Sequence, residues 1–205
     1  VFAYVADGLL QPGEEAPAHQ PQLLPGQVKL KNINGDDKLN EEDMVLIGRN
    51  DPKFIFGFNN NFSYKNFDLN IYMYGQVGKI AGANSYYDAW GSYGNRIKLG
   101  QNVPVSFKDA WSSDNQTSTR PSFIESAYGT GDLFLQKISF LRIRNITLGY
   151  TVPISKSICN RLRVYADINN PCVWTNWKGQ DPETDSNTNA YPNVTSFSIG
   201  VDISF

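Results

Sequence analysis

The sequence predicts an all-β protein, built as the antiparallel strands of a transmembrane β-barrel with long loops on one side. Three observations carry that expectation. First, the final eleven residues, Thr195 to Phe205, alternate strictly: Phe197, Ile199, Val201, Ile203 and Phe205 share one face, and Ser196, Ser198, Gly200, Asp202 and Ser204 the other. A period of two is a strand with one apolar and one polar face, and its length suits the roughly 9–11 residues that cross an outer membrane at a tilt. Second, strand-like segments are separated in rotation by short links and long polar loops, as expected when turns collect on one side of a membrane and loops on the other. Third, the sequence stops on an aromatic residue, Phe205, which reads as a barrel-assembly signal.

The elements follow in order. Val1–Gly8 reads as a short strand entering a glycine turn. It has neither the basic start nor the apolar run of a signal peptide, so further residues are expected before Val1. Leu10–Pro25, rich in Gln, Pro, Ala and Glu, reads as loop. In 54–64, Phe54, Phe56, Phe58, Phe62 and Tyr64 share a face; Lys65-Asn66 makes a tight turn; Phe67, Leu69, Ile71 and Met73 then alternate against Asp68, Asn70, Tyr72 and Tyr74. Two such strands joined by two residues form a hairpin, closed by Gly75-Gln76-Val77-Gly78. The next fifty or so residues show no sustained period, a length that fits an extracellular barrel loop better than a loop in a compact soluble domain.

Periodicity returns from Lys137 through Ile146, Leu148, Tyr150 and Val152. After the link Pro153–Asn160, Leu162, Val164, Ala166 and Ile168 alternate with Arg163, Tyr165, Asp167 and Asn169. Trp174–Asn193 is a second long loop before the terminal strand. About six strands result. Six cannot close a wide barrel, and an open edge is not tolerated in lipid, so residues 1–205 read as the closing part of a larger barrel. Arg142 and Arg144 share parity with the apolar face of their strand. We place them above the hydrocarbon near lipid headgroups, the alternative being a bulge that flips the register.

Composition narrows the function. Eighteen Lys and Arg against twenty Asp and Glu leave no basic footprint for nucleic acid. No catalytic set is evident: His19 is the only histidine, no Gly-x-Ser-x-Gly elbow is present, and neither Glu14/Glu15 nor Asp181/Glu183 has the facing spacing of a glycosidase pair. Cys159 and Cys172 flank a strand and are expected to be free thiols. The run Asn32-x-Asn34-x-Asp36-x-Lys38-x-Asn40-x-x-Asp43 has the oxygen spacing of a Ca²⁺ loop, weakened by neutral Asn32 at its first position and by Asp37 where the sharp turn favours glycine. It is a candidate weak Ca²⁺ site, with a polar turn that orders an extracellular loop the blander reading; no cofactor is required. The loop aromatics Tyr86, Tyr87, Trp90, Trp111, Trp174 and Trp177 are candidates for stacking on substrate, with packing or partner contact the blander reading.

The motifs resemble those of SusC/RagA-type TonB-dependent transporters of the Bacteroidetes outer membrane. Asp7-Gly8-Leu9-Leu10-Gln11 resembles a strand-end motif of that family, and Pro25-Gly26-Gln27-Val28-Lys29-Leu30-Lys31-Asn32-Ile33-Asn34-Gly35-Asp36 resembles its Pro-Gly-Asp … Asn-Gly-Asp-Gly stretch. Ile47-Gly48, Pro52 and Phe54, then Gly75–Gly78, Trp111-Ser112-Ser113-Asp114-Asn115, Leu141–Tyr150, Gly179-Gln180-Asp181-Pro182-Glu183 and Phe205 follow in the family's order. The resemblance implies that residues 1–205 are the C-terminal part of a 22-stranded barrel, whose plug and earlier strands lie outside them. It implies import of glycan, oligosaccharide or peptide, a SusD-like lipoprotein lid, and engagement of the TonB complex through an N-terminal region. The alternative from another class is a secreted β-rich carbohydrate-binding module, Ca²⁺-assisted.

Overall fold

A computed structural model describes residues 1–82, 99–100, 102, 105–123, 126–154, 159–179, 181–184 and 191–205. They fall into two compact units, one drawn from Val1–Asn50 and Ile80–Gln136, the other from Asp51–Lys79, Lys137–Thr184 and Asn189–Phe205. In chain order the strands are β1 (Phe2–Ala3), β2 (Ala6–Leu9), β3 (Val28–Leu30), β4 (Val45–Leu46), β5 (Phe54–Tyr64), β6 (Phe67–Gly82), β7 (Leu135–Val152), β8 (Arg161–Thr175) and β9 (Ser196–Ser204). No described helix is long and apolar enough to cross a membrane.

The second unit is organised by a five-stranded sheet in chain order, β5-β6-β7-β8-β9. Tyr64 pairs with Phe67, so Lys65-Asn66 is a two-residue turn as expected, and Lys65 takes the left-handed backbone (φ 54°) that such turns use. The registers carry the predicted alternation across strands. Ile146, Ile168 and Phe197 are directly opposed, as are Leu148, Ala166 and Ile199, and Tyr150, Val164 and Val201. The other parity brings Thr147, Asp167 and Ser198 together, and Gly149, Tyr165 and Gly200. Opposed residues share a face, so each face is of one chemical kind over several strands. The apolar face is the exposed one: Phe197 is 75%, Ile199 82% and Leu148 51% accessible.

Strand lengths fit a bilayer. At ~3.3 Å per residue, nine-residue β9 spans ~30 Å and eighteen-residue β7 ~60 Å. An apolar band ~25 Å tall crossed at about 40° takes ~33 Å of strand. The last strand therefore matches the band, while β6, β7 and β8 exceed it by roughly 15–25 Å.

The sheet differs from expectation in three places. The opening segment does not add a sixth strand; it forms β1 and β2, paired antiparallel with β4 and β3 in separate two-stranded sheets. Gly75–Gly78 does not end the hairpin, because Gly78 takes φ +83° within β6 and lets the strand continue to Gly82. Asn169-Asn170-Pro171 does not end β8 either. It is a bulge: Ile143 pairs with Cys172 but Asn145 with Asn169, so Asn170 and Pro171 together oppose Arg144. Asn170 supplies the left-handed residue (φ 49°), and proline, without an N–H, is tolerated at such a site. The strand then runs on to Thr175 and takes Trp174 out of the predicted loop.

The first unit has its own core. Leu9, Val28 and Leu30 are buried together, with Tyr4, Ala6, Leu39, Trp111 and Tyr128 packed around them. Leu10–Pro25, read as loop, contributes buried Leu10, Leu23 and Gln20. The Gln20 carboxamide completes the edge of β3: its oxygen accepts from Leu30 N (2.7 Å) and its nitrogen donates to the Val28 carbonyl (3.5 Å). Gly26, at φ +83°, lies under the Trp111 ring; a Cβ there would come within 2.6 Å of Trp111 Cδ2. Only glycine satisfies both the backbone and that approach. Both cysteines are free, as expected.

Candidate functional site

The polar face of the five-stranded sheet is a connected hydrogen-bonded surface. Arg163 of β8 donates from Nε to Asp68 Oδ1 (3.0 Å) and from Nη2 to Asp68 Oδ2 (2.6 Å), and its Nη1 reaches Asp202 of β9 at 3.0 Å. Asp68 belongs to β6, so the forked pair passes over β7. Gly149 of β7 makes the crossing feasible: a Cβ there would lie 2.5 Å from Asp68 Oδ1 and 2.6 Å from Arg163 Nε. Gly200 plays the same part for Tyr165, whose ring covers it and whose Cε1 would be 2.7 Å from a Cβ. One step along the strands, the Asp167 carboxylate accepts from Asn145 Nδ2 (2.6 Å), Thr147 Oγ1 (2.5 Å) and Asn169 Nδ2 (3.0 Å). On the β5–β6 hairpin, Asn70 Nδ2 donates to the side-chain oxygens of both Asn59 (2.7 Å) and Asn61 (2.6 Å). The result is a wall of amides, hydroxyls and paired charges bonded to one another.

At the bulge the chemistry changes. Arg142 is 2% exposed and donates to Asp181 Oδ1 at 2.7 Å, while Arg144 Nη2 donates to Glu183 Oε2 at 2.9 Å. Arg142 Nε also lies 3.4 Å from Glu183 Oε1. The arginines are therefore held by carboxylates of the following loop and not displayed to headgroups, which corrects the expectation. A buried guanidinium needs such a partner, because its desolvation is costly if it stays alone. Asn193 closes the cluster: its backbone N–H donates to Asp181 Oδ2 (3.0 Å) and its Nδ2 to Glu183 Oε2 (2.8 Å). Burial pushes the Asp181 carboxyl up, but the Glu183 and Asn193 amides and the Arg142 charge outweigh it and hold it below the usual carboxylate range. With both carboxylates so engaged, Asp181 and Glu183 form no acid/base pair.

The 32–43 segment folds as a series of side-chain turns. Asn32 Oδ1 accepts from Gly35 N (2.6 Å), Asn34 Oδ1 from Asp36 N (3.1 Å), Asp36 Oδ1 from Lys38 N (3.0 Å) and Asn40 Oδ1 from Glu42 N (2.7 Å). Asp43, fully buried, ties the ends by accepting from Ile33 N (2.7 Å) and Asn40 N (3.0 Å). The Asn40 amide foremost, against burial and with the Ile33 and Asn34 amides, keeps its carboxyl below the ordinary range. Asp37 itself supplies the sharp turn at φ 58°, where glycine was missed in the sequence. Among the described residues no group of three or more His, Cys, Asp and Glu side chains is gathered to hold a metal ion.

Of the aromatic candidates, Tyr86, Tyr87 and Trp90 lie outside the described residues. Trp111 packs on Gly26 and the core of the first unit. Trp177 is buried at 6% exposure, and Trp174, at 56%, is open on β8. Phe205 follows β9 and is 87% exposed. Sequence reasoning missed the Asp68–Arg163–Asp202 triad and the pairing of Asp181 and Glu183 with Arg142 and Arg144. The available signal was the two arginines of wrong parity, which required a carboxylate partner.

No protein-family model matches the chain. It is 28% identical over 201 residues to TonB-dependent receptor P3 of Formosa agariphila, a match covering 88% of this chain and 19% of that protein. It is 26% identical over 180 residues to TonB-dependent receptor SusC of Bacteroides thetaiotaomicron, covering 84% and 17% respectively. The chain thus spans under a fifth of the length of these relatives. In fold it is similar to a chain of the RagAB peptide transporter, with TM-score 0.74, 22% identity, and coverage of 100% of this chain and 22% of that one. The open-open state of the RagAB peptide importer gives TM-score 0.71. A sheet with one apolar and one hydrogen-bonded face is the barrel-wall fold these likenesses imply, and the chain is similar to part of the TonB-dependent receptors of the SusC/RagA type.

Proposed function

We propose that residues 1–205 form the C-terminal wall and extracellular loops of an outer-membrane, TonB-dependent importer of glycan, oligosaccharide or peptide. The observation that carries this reading is the pairing of faces. An exposed apolar surface continues across β7, β8 and β9, backed by a polar surface whose charged and amide side chains are mutually satisfied. In a soluble protein so large an exposed apolar patch would need a partner; in a barrel the lipid is that partner and the polar face lines the lumen. The tight turn Lys65-Asn66, the link Pro153–Asn160 and Phe205 then lie at the periplasmic end, and the long loops outside. The bulge at Asn170-Pro171 marks the outer limit of the apolar band, since Arg142 and Arg144 follow it.

A SusD-like lipoprotein caps the extracellular mouth in this reading, and the TonB complex acts through the N-terminal region of the whole protein. Trp174, with Tyr86, Tyr87 and Trp90, supplies flat faces for substrate or lid. The 32–43 loop is a stiffened turn, which Ca²⁺ bound through Asn32, Asn34, Asp36, the Lys38 carbonyl, Asn40 and Asp43 would stiffen further. The test is fractionation of the whole protein from its host with affinity purification. Recovery in the outer membrane as a heat-modifiable barrel, together with a co-encoded lipoprotein, is the expected result. Recovery as a soluble secreted monomer would refute the reading.

A further inference from the structure

We propose that Arg142, Arg144, Asp181, Glu183 and Asn193 form a latch that straps both feet of the 176–193 loop to β7 and β8. The loop leaves β8 after Thr175 and re-enters the sheet at Ser196. Its first foot, Asp181 and Glu183, is held by two arginines two residues apart on β7, at 2.7 and 2.9 Å. Its second foot is held by Asn193, which donates to both carboxylates, and by two bonds to the bulge residue: Asn170 Nδ2 to the Val194 carbonyl (3.2 Å) and Thr195 Oγ1 to the Asn170 carbonyl (2.8 Å). Asn193 thereby bonds the two feet to each other as well as to the strands.

Three features separate a latch from incidental surface pairing. The central pair is almost fully enclosed, with side chains of Arg142 and Asp181 only 3% and 4% exposed, so it is little screened by salt. The charges balance, two guanidinium groups against two carboxylates, so closure buries no net charge. And the bulge at Asn170 places the second foot beside the first, since without the extra residue Arg144 would face a continuous strand. Because Arg142 or Asp181 left alone is a desolvated charge, the enclosed pair holds or fails as a unit: with all partners in place the loop is pinned, and with one of these charges removed the first foot is released and the second keeps only its bonds to Asn170, while β7 and β8 keep their own ladder. The two feet of the loop are thus held by a set of charges that a single substitution opens.

The experiment uses the purified whole protein in detergent, so that its sidedness in the cell does not enter. Lys178 lies in the strap and gives trypsin a cleavage point. Asp181→Asn and Arg142→Met are each expected to raise the rate of cleavage after Lys178 by about tenfold or more, since proteolysis tracks the population of the open form. The barrel should stay folded by heat-modifiability, and the double variant should cleave no faster than the worse single. Unchanged cleavage in both single variants, or additive effects in the double, overturns the latch. So does loss of the folded barrel in Asp181→Asn, because the cluster would then be a fixed part of the wall.

Discussion

Gly149→Ala tests how the polar face is assembled. The new Cβ would stand 2.5 Å from Asp68 Oδ1 and 2.6 Å from Arg163 Nε, so the forked pair above β7 must move. The pair is two charge-assisted hydrogen bonds between side chains 15% and 36% exposed. Such bonds are worth about 1.5–3 kcal/mol each when well enclosed, and discounting for solvent screening leaves about 2 kcal/mol for the fork. Against this, alanine in a strand gains about 0.5–1 kcal/mol over glycine. The net expected effect is a loss of about 1–1.5 kcal/mol. In an Asp68→Ala background there is no fork to displace, and Arg163 is free to turn fully to Asp202. There the same substitution should stabilise, by about 0.5–1 kcal/mol. Urea unfolding of the protein in lipid vesicles, followed by gel shift, measures all four corners of the cycle. The same sign and size of effect in both backgrounds would show that Gly149 is not there to admit the ion pair.

Other consequences follow from the same geometry. Ile199→Arg, in the middle of the exposed apolar face, should cost about 2–4 kcal/mol of barrel stability, whereas Ser198→Arg on the polar face should cost under about 1; outer-membrane levels of folded protein rank the two, and equal loss would contradict the assignment of faces. Because the folded Asp181 carboxyl is held below its unfolded value, its contribution is fully present above the ordinary carboxylate pKa of about 3.9 and is lost only as pH falls through the lower, folded value. A ¹³C titration of its carboxyl with a midpoint at or above the ordinary value would refute this. Millimolar-range Ca²⁺ should slow proteolysis of the 32–43 loop, and Asp36→Ala should abolish the response; no response to Ca²⁺ in the unsubstituted protein reduces the segment to a polar turn.

The sheet was legible because its signal is local. Alternation at 54–64, 146–152, 162–168 and 197–205 depends only on which residues stand two apart, and the registers pair those sets face to face. What was not legible depended on distant partners. Leu10 and Leu23 sit among Pro, Gln and Glu and look like loop, yet they are buried, in a segment whose Gln20 closes the edge of β3. Asn170-Pro171 carries the ordinary signature of a strand end, and only the Arg144 position opposite turns it into a bulge within a longer strand. The wrong-parity arginines were visible, but the carboxylates that neutralise them lie some forty residues on, in a loop with no period of its own. The 32–43 segment carries the oxygen spacing of a Ca²⁺ loop, but which partners those oxygens take is not written in the spacing. The turn closes through backbone amides, with Asp37 adopting the left-handed backbone without glycine.

Site-directed spin labelling along β9 reports which face of the strand meets lipid. Labels placed one at a time at Phe197, Ser198, Ile199, Val201, Asp202 and Ile203, in the whole protein lacking Cys159 and Cys172 and reconstituted in lipid, report collision with oxygen dissolved in the acyl chains or with a water-soluble nickel chelate. A barrel wall predicts oxygen collisions at 197, 199, 201 and 203 and nickel collisions at 198 and 202, in strict alternation. Nickel access at both parities, or alternation of the opposite sense, would mean that the apolar face does not meet lipid.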